Sequence, residues 1–250
     1  MQVLSSNTIS DALLVSIPRL ASILPPDILE ALIAARDRET HERAKIVLDQ
    51  LVLNAQIANE DHVPICQDTG TVWLCLEVGP DIALNANVFS KVDQSVAAGF
   101  INSKLRKSVV RDALFDRTNT GDNTPAFCEL RLVDEPGVAR LHMMLKGGGS
   151  DNASRVVMLT PNAGKQGVID TVLSCVEEKA ANACPPLVVG VGVGGTFDKV
   201  AGLSKLALMR PLNVAAPDPE RHVPSAPRAP LCGRPCIPRP GWPGRRCTPL

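Results

Sequence analysis

The sequence predicts an α/β chain of mixed α+β type: an N-terminal helical layer, then interleaved strands and helices, then a tail of different character. Three observations carry this. Apolar residues recur at helical spacing through residues 1–60. Strand-like apolar runs begin only at Thr71. From Arg221 onward neither period is present, and no Lys, Asp or Glu occurs. Taken in order, Leu13, Ile17, Leu20 and Ile23 mark the first helix. Pro25-Pro26-Asp27 restarts the chain, and Ile28, Leu29, Leu32 and Ile33 carry the next apolar stripe. A third helix over 40–58 places Ala44, Val47, Leu48, Leu51, Leu53 and Ile57 on a broad apolar side. A strand is expected over 71–78, where Val72, Trp73, Leu74, Leu76 and Val78 cluster, and a helix over 87–101. Residues 126–133 and 138–145 read as a hairpin around Asp134-Glu135-Pro136-Gly137. A helix over 165–182, a buried strand at Leu187-Val188-Val189-Gly190-Val191 and a helix over 196–209 complete the regular part. Residues 1–220 therefore form the folded domain. Residues 221–250, rich in Pro, Arg, Gly and Cys, bury too little apolar surface to offset their ordering entropy and are expected to be a disordered tail.

Composition narrows the class. Of 250 residues, 45% are hydrophobic and 21% charged, ordinary values for a globular chain long enough to bury a core. Lys plus Arg and Asp plus Glu are each 26, so no global charge points to nucleic acid or an anionic membrane. Aromatics are 3% with no Tyr, which argues against a stacking platform for single-stranded bases. No uninterrupted apolar run reaches the roughly 18 residues of a membrane span. Met1 to Asn7 lacks the basic and apolar regions of a signal peptide. The expected compartment is the cytoplasm, where thiols stay reduced. Eight cysteines there call for a metal, a catalytic thiol or plain burial before disulfides.

Four loops carry the chemistry. In Pro64-Ile65-Cys66-Gln67-Asp68-Thr69-Gly70-Thr71 a cysteine sits in a polar turn between helix and strand, where scaffolds present functional groups. Cys75 and Cys175, by contrast, lie on apolar faces and read as core. In Asn182-Ala183-Cys184-Pro185-Pro186 a second cysteine occupies a stiff turn suited to holding a metal ligand in place. Zinc fits less well, since no CxxC pair or paired His occurs before the tail. Lys146-Gly147-Gly148-Gly149-Ser150-Asp151-Asn152-Ala153-Ser154 reads either as a cradle for a small oxyanion or as a flexible glycine turn. It matches neither GxxxxGK[ST] nor GxGxxG, so a nucleotide is not indicated. Arg106, in Leu105-Arg106-Lys107-Ser108, is either a carboxylate clamp or a solvated charge. Asn119-Thr120-Gly121-Asp122-Asn123-Thr124-Pro125 follows it. Gly192-Val193-Gly194-Gly195-Thr196 reads as a tight turn more than a phosphate loop.

Together these segments resemble the alpha region of the class I iron–sulfur fumarate hydratases and L-tartrate dehydratases. Cys66-Gln67-Asp68-Thr69-Gly70, Asn119 to Pro125, Lys146 to Ser150, and Cys184-Pro185-Pro186 running on through Val191 to Phe197 follow the family's order over roughly residues 10–220. The Gly-Gly-Gly-Ser-Asp-Asn form is more fumarase-like. The resemblance implies a [4Fe–4S] cluster held by three cysteines, with one iron open as a Lewis acid for reversible hydration of a four-carbon dicarboxylate. It implies Cys66 and Cys184 as cluster ligands. Gln67, Arg106, Gly149, Asn152 and Ser154 would be substrate contacts, and Asp68 an acid/base or orienting group. Thiolates suit such a cluster as soft ligands.

The chain also departs from the family. The family's third cysteine lies well downstream of the second, and similarity stops near Pro217-Asp218-Pro219-Glu220. Residues from about 221 are expected to be an out-of-frame or otherwise aberrant reading rather than a source of the missing ligand through Cys232, Cys236 or Cys247. The resemblance further implies a beta region or subunit and an oligomer, so the chain alone is expected to have little activity. The competing expectations are a non-catalytic remnant and a zinc or redox protein using the tail cysteines.

Overall fold

A computed structural model of the chain describes residues 2–212 and residue 214. The tail expected to be disordered, with its three cysteines, lies outside the described residues.

Helix α1 (Ser6–Ser22) starts where the Ser5 hydroxyl accepts from the Thr8 N–H at 3.3 Å, satisfying one of the free donors of its first turn. Its stripe of Ile9, Leu13 and Ile17 is fully buried, four residues apart on one face. Pro25 and Pro26 end that run and begin α2 (Pro26–Arg38), which pairs with α3 (Glu42–Asp61). Leu32, Leu48 and Val52 form a small second core between them. By length and a mean hydropathy of 1.4, Ser6–Arg38 is apolar enough to cross a membrane. The structure divides that stretch into two helices, and the apolar stripe of α1 is spent on the main core.

The main core lies between α1, α4 (Val92–Asn102) and one face of a three-stranded sheet. β2 (Thr71–Val78) is its centre and sends Val72, Leu74, Leu76 and Val78 to the helices. Trp73 and Cys75 point to the other face and are also buried, which explains why β2 reads as an almost continuous apolar run. Gly99 lets α4 approach α1: a Cβ there would meet the Ile17 side chain at 2.9 Å. A further two-stranded pairing, not foreseen in the sequence, joins β1 (Gln2–Leu4) parallel to β3 (Ile82–Leu84).

The expected hairpin is corrected. β4 (Phe127–Leu132) and β5 (Ala139–Lys146) both form, but the sheet order is β4-β2-β5. β4 runs parallel to β2 and β5 antiparallel to it. The turn over 133–138 spans the end of β2 instead of folding tightly. The Val133 N–H donates to Val78 O at 3.0 Å and the Gly79 N–H to Val138 O at 2.8 Å. The most apolar strand takes the central position because only there are both of its faces covered.

The C-terminal part is looser. Helix α5 (Gly148–Asn152) is a single turn inside the glycine loop, α6 (Gly164–Lys179) fulfils the expectation over 165–182, and α7 (Phe197–Ala207) that over 196–209. The buried strand expected at 187–191 is not present: the run is extended but unpaired, and Val188 and Val189 are 43% and 49% exposed. It leans on α7 through Gly190 and Gly192, whose missing side chains allow backbone approach to Ser204 and Val200. No strand among the described residues lies beside it to make a ladder.

Candidate functional site

α3 ends at His62, whose φ of 54° turns the chain out of the helix. The Ile65 N–H then donates to Ala21 O at 2.9 Å, and the Asn54 amide donates to Ile65 O at 2.8 Å. These bonds pin the base of the turn, so the next two residues, Cys66 and Gln67, stand exposed on a fixed support. The Cys66 thiol faces the Asp68 carbonyl at 3.5 Å. Thr69 is buried and donates its hydroxyl to Arg106 O at 2.6 Å. In return Arg106 Nη1 donates to Gln67 O at 3.4 Å. The structure therefore brings Arg106 beside Cys66 and Gln67, although they lie far apart in sequence.

Gly70 closes the turn at φ 65°, and a Cβ there would overlap the Lys146 carbonyl oxygen. Only glycine fits both conditions. This contact places the Cys66 turn directly against the glycine loop. Asp68 completes the junction. Its Oδ1 accepts from the Gly70 N–H at 3.2 Å, and its Oδ2 accepts from the Gly148 N–H at 2.9 Å. Both carboxylate oxygens are thus engaged by backbone, and Asp68 acts as a strut between the two loops.

On the far side of the glycine loop, a Cβ on Gly149 would meet Asn182 O at 2.8 Å. Asn182 ends the short 3-10 turn Ala180–Asn182 and stands two residues before Cys184. Cys184 is exposed and has φ 55°, a left-handed conformation that costs a non-glycine residue about 1–2 kcal/mol. The Cys66 and Cys184 turns consequently flank one glycine loop. Ser154 donates to Ser150 O at 3.5 Å and Asn152 lies exposed at the end of α5, so both adjoin the loop, with no hydrogen bond to Arg106 among the described residues. Inside the loop the Lys146 ammonium donates to Ser150 Oγ at 2.7 Å. Burial pushes its pKa down, as does Lys205, while Asp151 pulls it up.

The other cysteines differ. Cys128 in β4 is also free and exposed, but desolvation, with the nearby Asp93, pushes its thiol up to about 11. Cys75 is fully buried in β2, and burial pushes its thiol up to about 11. Cys175 is half-buried and faces Ala153 O at 3.3 Å. Cys75 keeps the core assignment read from the sequence, whereas Cys175 does not, since it lies on a helix with no buried residue. Exposed, free thiols at Cys66 and Cys184 suit a soft metal or cluster. Among the described residues no group of three His, Cys, Asp or Glu side chains is gathered to hold a metal ion.

Sequence reasoning passed over Asn123. It is fully buried, and its side chain bonds both the Cys66 turn and the Arg106 segment. The repeated Asn, Asp and Thr around Gly121 were the available signal, since such side chains cap their own turns.

This fold and site define a class. The sequence model of the family described as fumarate hydratase (Fumerase) matches residues 12–226, and the chain belongs to that family. Among curated relatives it is 32% identical over 200 residues to the L(+)-tartrate dehydratase subunit alpha of Escherichia coli O157:H7, covering 79% of this chain and 65% of that protein. A Methanocaldococcus jannaschii protein, provisionally described as the same subunit, is 34% identical over 222 residues, covering 86% of this chain and 74% of its own length. The chain thus spans slightly less than two thirds of the Escherichia coli relative.

Proposed function

We propose that this chain is the alpha portion of a [4Fe–4S]-dependent hydro-lyase that adds or removes water on a four-carbon dicarboxylate. The observation that carries the reading is the convergence of Cys66, Gln67, Asp68, Arg106 and the Gly147–Gly149 loop at one junction, with the Cys184 turn against the loop's other side. Cys66 and Cys184 would hold the cluster, which when bound supplies a Lewis-acidic iron toward the substrate oxygen. The chain's own residues bind and orient. Arg106 offers a planar fork to one carboxylate, and Gln67 stands exposed beside it. Gly149, Asn152 and Ser154 offer backbone and side-chain polar groups along the loop. Asp68 holds the loops at fixed spacing.

Fumarate and malate are the leading substrates on the Gly-Gly-Gly-Ser-Asp-Asn form of the loop. L-tartrate is the second reading, favoured by the printed descriptions of the relatives. A beta-type subunit is the expected partner, in an oligomer, and the cytoplasm the expected compartment. The third sulfur is also expected from outside residues 1–220, so the chain alone should turn over little substrate. Anaerobic reconstitution with iron and sulfide tests this. The full chain, mixed with a beta-type subunit, should develop broad visible absorption that Cys66→Ser and Cys184→Ser each abolish. Hydration of fumarate, or dehydration of L-tartrate, should appear only in the mixture. Absorption unaffected by both serine variants would sink the ligand assignment.

A further inference from the structure

We propose that Asn123 is a positioning residue: a buried amide latch that sets Arg106 against the Cys66–Gly70 turn. Three observations support it. Asn123 has no exposed surface, although it is a polar residue in a loop turn. Its Nδ2 donates to Gly70 O at 3.0 Å, while its Oδ1 accepts from the Ser108 N–H at 2.8 Å. One side chain therefore joins the end of the cysteine turn to the segment that begins with Arg106. Third, the turn carrying it is braced on its own account. The Gly121 N–H donates to Asn119 Oδ1 at 2.8 Å, and the Thr124 N–H to Asp122 Oδ1 at 3.0 Å. The Asn119 amide donates to Lys107 O at 3.0 Å, and the Asn123 N–H donates to Thr120 Oγ1 at 3.2 Å.

The residue type follows from these demands. The backbone at Asn123 has φ 66°, a region that asparagine tolerates far better than most residues. The amide must also donate on one side and accept on the other, which neither Asp nor Leu of similar size can do. A buried donor and acceptor left without partners would each incur a desolvation cost, so the two loops are held together or both are strained. The Thr69 hydroxyl bonded to Arg106 O is a second strap across the same gap. What the latch serves, a carboxylate-binding guanidinium held beside a ligand thiol, rests on the function proposed above. The latch itself is a claim about two loops and can be tested alone.

The test uses the full chain and two variants. Asn123→Gly keeps the left-handed backbone and deletes the amide; Asn123→Asp keeps the acceptor for Ser108 and loses the donor to Gly70. Hydrogen exchange is read on peptides covering 66–70, 105–110 and, as control, 164–179. Asn123→Gly should raise exchange about tenfold in both loop segments, the scale of losing one buried hydrogen bond at each, with the control unchanged. Asn123→Asp should loosen 66–70 more than 105–110. A uniform rise across all three segments, or a change confined to 119–124, overturns the latch. Succinate, an unreactive four-carbon dicarboxylate, is then titrated against the same proteins after anaerobic reconstitution with iron, sulfide and a beta-type subunit. The dissociation constant should weaken about tenfold in Asn123→Gly, for the same lost contacts. If succinate fails to bind the unmodified reconstituted mixture, the proposed substrate reading falls, while the exchange data still decide the latch. Equal succinate affinity in chain and variant overturns the positioning of Arg106.

Discussion

Replacing Asp68 by Asn isolates the strut between the Cys66 turn and the glycine loop, because it preserves size and removes one acceptor. The carboxylate takes the Gly70 N–H at 3.2 Å and the Gly148 N–H at 2.9 Å, one on each oxygen. An asparagine retains a single oxygen and turns its NH2 toward the other N–H, so one bond becomes a donor–donor contact. Hydrogen bonds to charged groups contribute about 1.5–3 kcal/mol each. The longer bond and the half-exposed site place the loss near the low end, about 2 kcal/mol. With a urea dependence of about 2–3 kcal/mol per molar for a chain of this size, the unfolding midpoint should fall by about 0.8 M. The control is Asp151→Asn. Asp151 is exposed and only 3.9 Å from Lys205, so its loss should stay within about 0.5 kcal/mol. Equilibrium urea unfolding followed by circular dichroism reads both. A shift of the Asp68→Asn midpoint no larger than that of Asp151→Asn would refute the strut and return Asp68 to a free acid/base.

Three further outcomes follow from the same geometry. Gly70→Ala should destabilise by at least about 2 kcal/mol in thermal unfolding, because alanine is strained at φ 65° and its Cβ meets Lys146 O; a near-neutral result would mean the turn is misdrawn. Glu77 in β2 experiences burial that raises its pKa, but hydrogen bonds from His142 at 3.1 Å and Arg140 at 2.8 Å outweigh this and hold the carboxyl below its usual value. Its stabilising contribution is therefore present above about pH 4.5 and is lost as pH falls through the folded-state value. Glu77→Gln should cost about 1–2 kcal/mol at neutral pH, a difference that must shrink on acidification. Iodoacetamide at pH 8 should label Cys66 and Cys184 in the native chain and spare Cys75, which is buried with its thiol raised to about 11; labelling of Cys75 without unfolding would contradict the β2 core.

Local patterns made the helices legible. The stripe of Leu13 and Ile17 and the Pro25-Pro26 break each depend only on neighbouring residues, and the structure keeps them. Pairing was less legible. β4 and β5 were separated by a good turn sequence, yet β2 lies between them. A clue was present in the contrast between the strands. Val72 to Leu76 is apolar on both faces, whereas β4 and β5 carry Glu129, Arg131, Arg140 and His142, so the first belongs in the centre. The Leu187–Val191 run shows the opposite failure. Its composition is that of a buried strand, but burial needs a second surface, and none among the described residues from 147 to 212 is fully buried. At the site, the sequence marked the cysteine and glycine loops because Gly, Pro and Cys punctuate the chain there. It could not show that Thr69 reaches Arg106, or that Asn123 reaches Gly70, since those contacts join positions 37 and 53 residues apart.

The two readings left open for the glycine loop, anion cradle or flexible turn, are separated by what each glycine touches. A Cβ on Gly147 would crowd Asp68 Oδ2 at 3.1 Å, Gly148 gives its N–H to that same oxygen, and a Cβ on Gly149 would crowd Asn182 O at 2.8 Å. A turn selected for mobility would have open space around its glycines, as Gly137 does. These three are contact surfaces instead. At Gly147 and Gly149 the missing side chain lets another loop come closer: the Cys66 turn on one side and the Cys184 turn on the other. The loop is therefore a spacer between two thiol-bearing turns, and its Gly148 N–H is already committed to Asp68. Under the proposed function an incoming carboxylate would have to find its cation elsewhere, and Arg106, exposed and tied to Gln67 on the same turn, stands at that junction. On this geometry Gly147 and Gly149 set where the two thiol-bearing turns stand, and under the proposed function the guanidinium would supply the charge. Swapping Gly149 for Ala should then disturb Cys184 before it disturbs dicarboxylate binding.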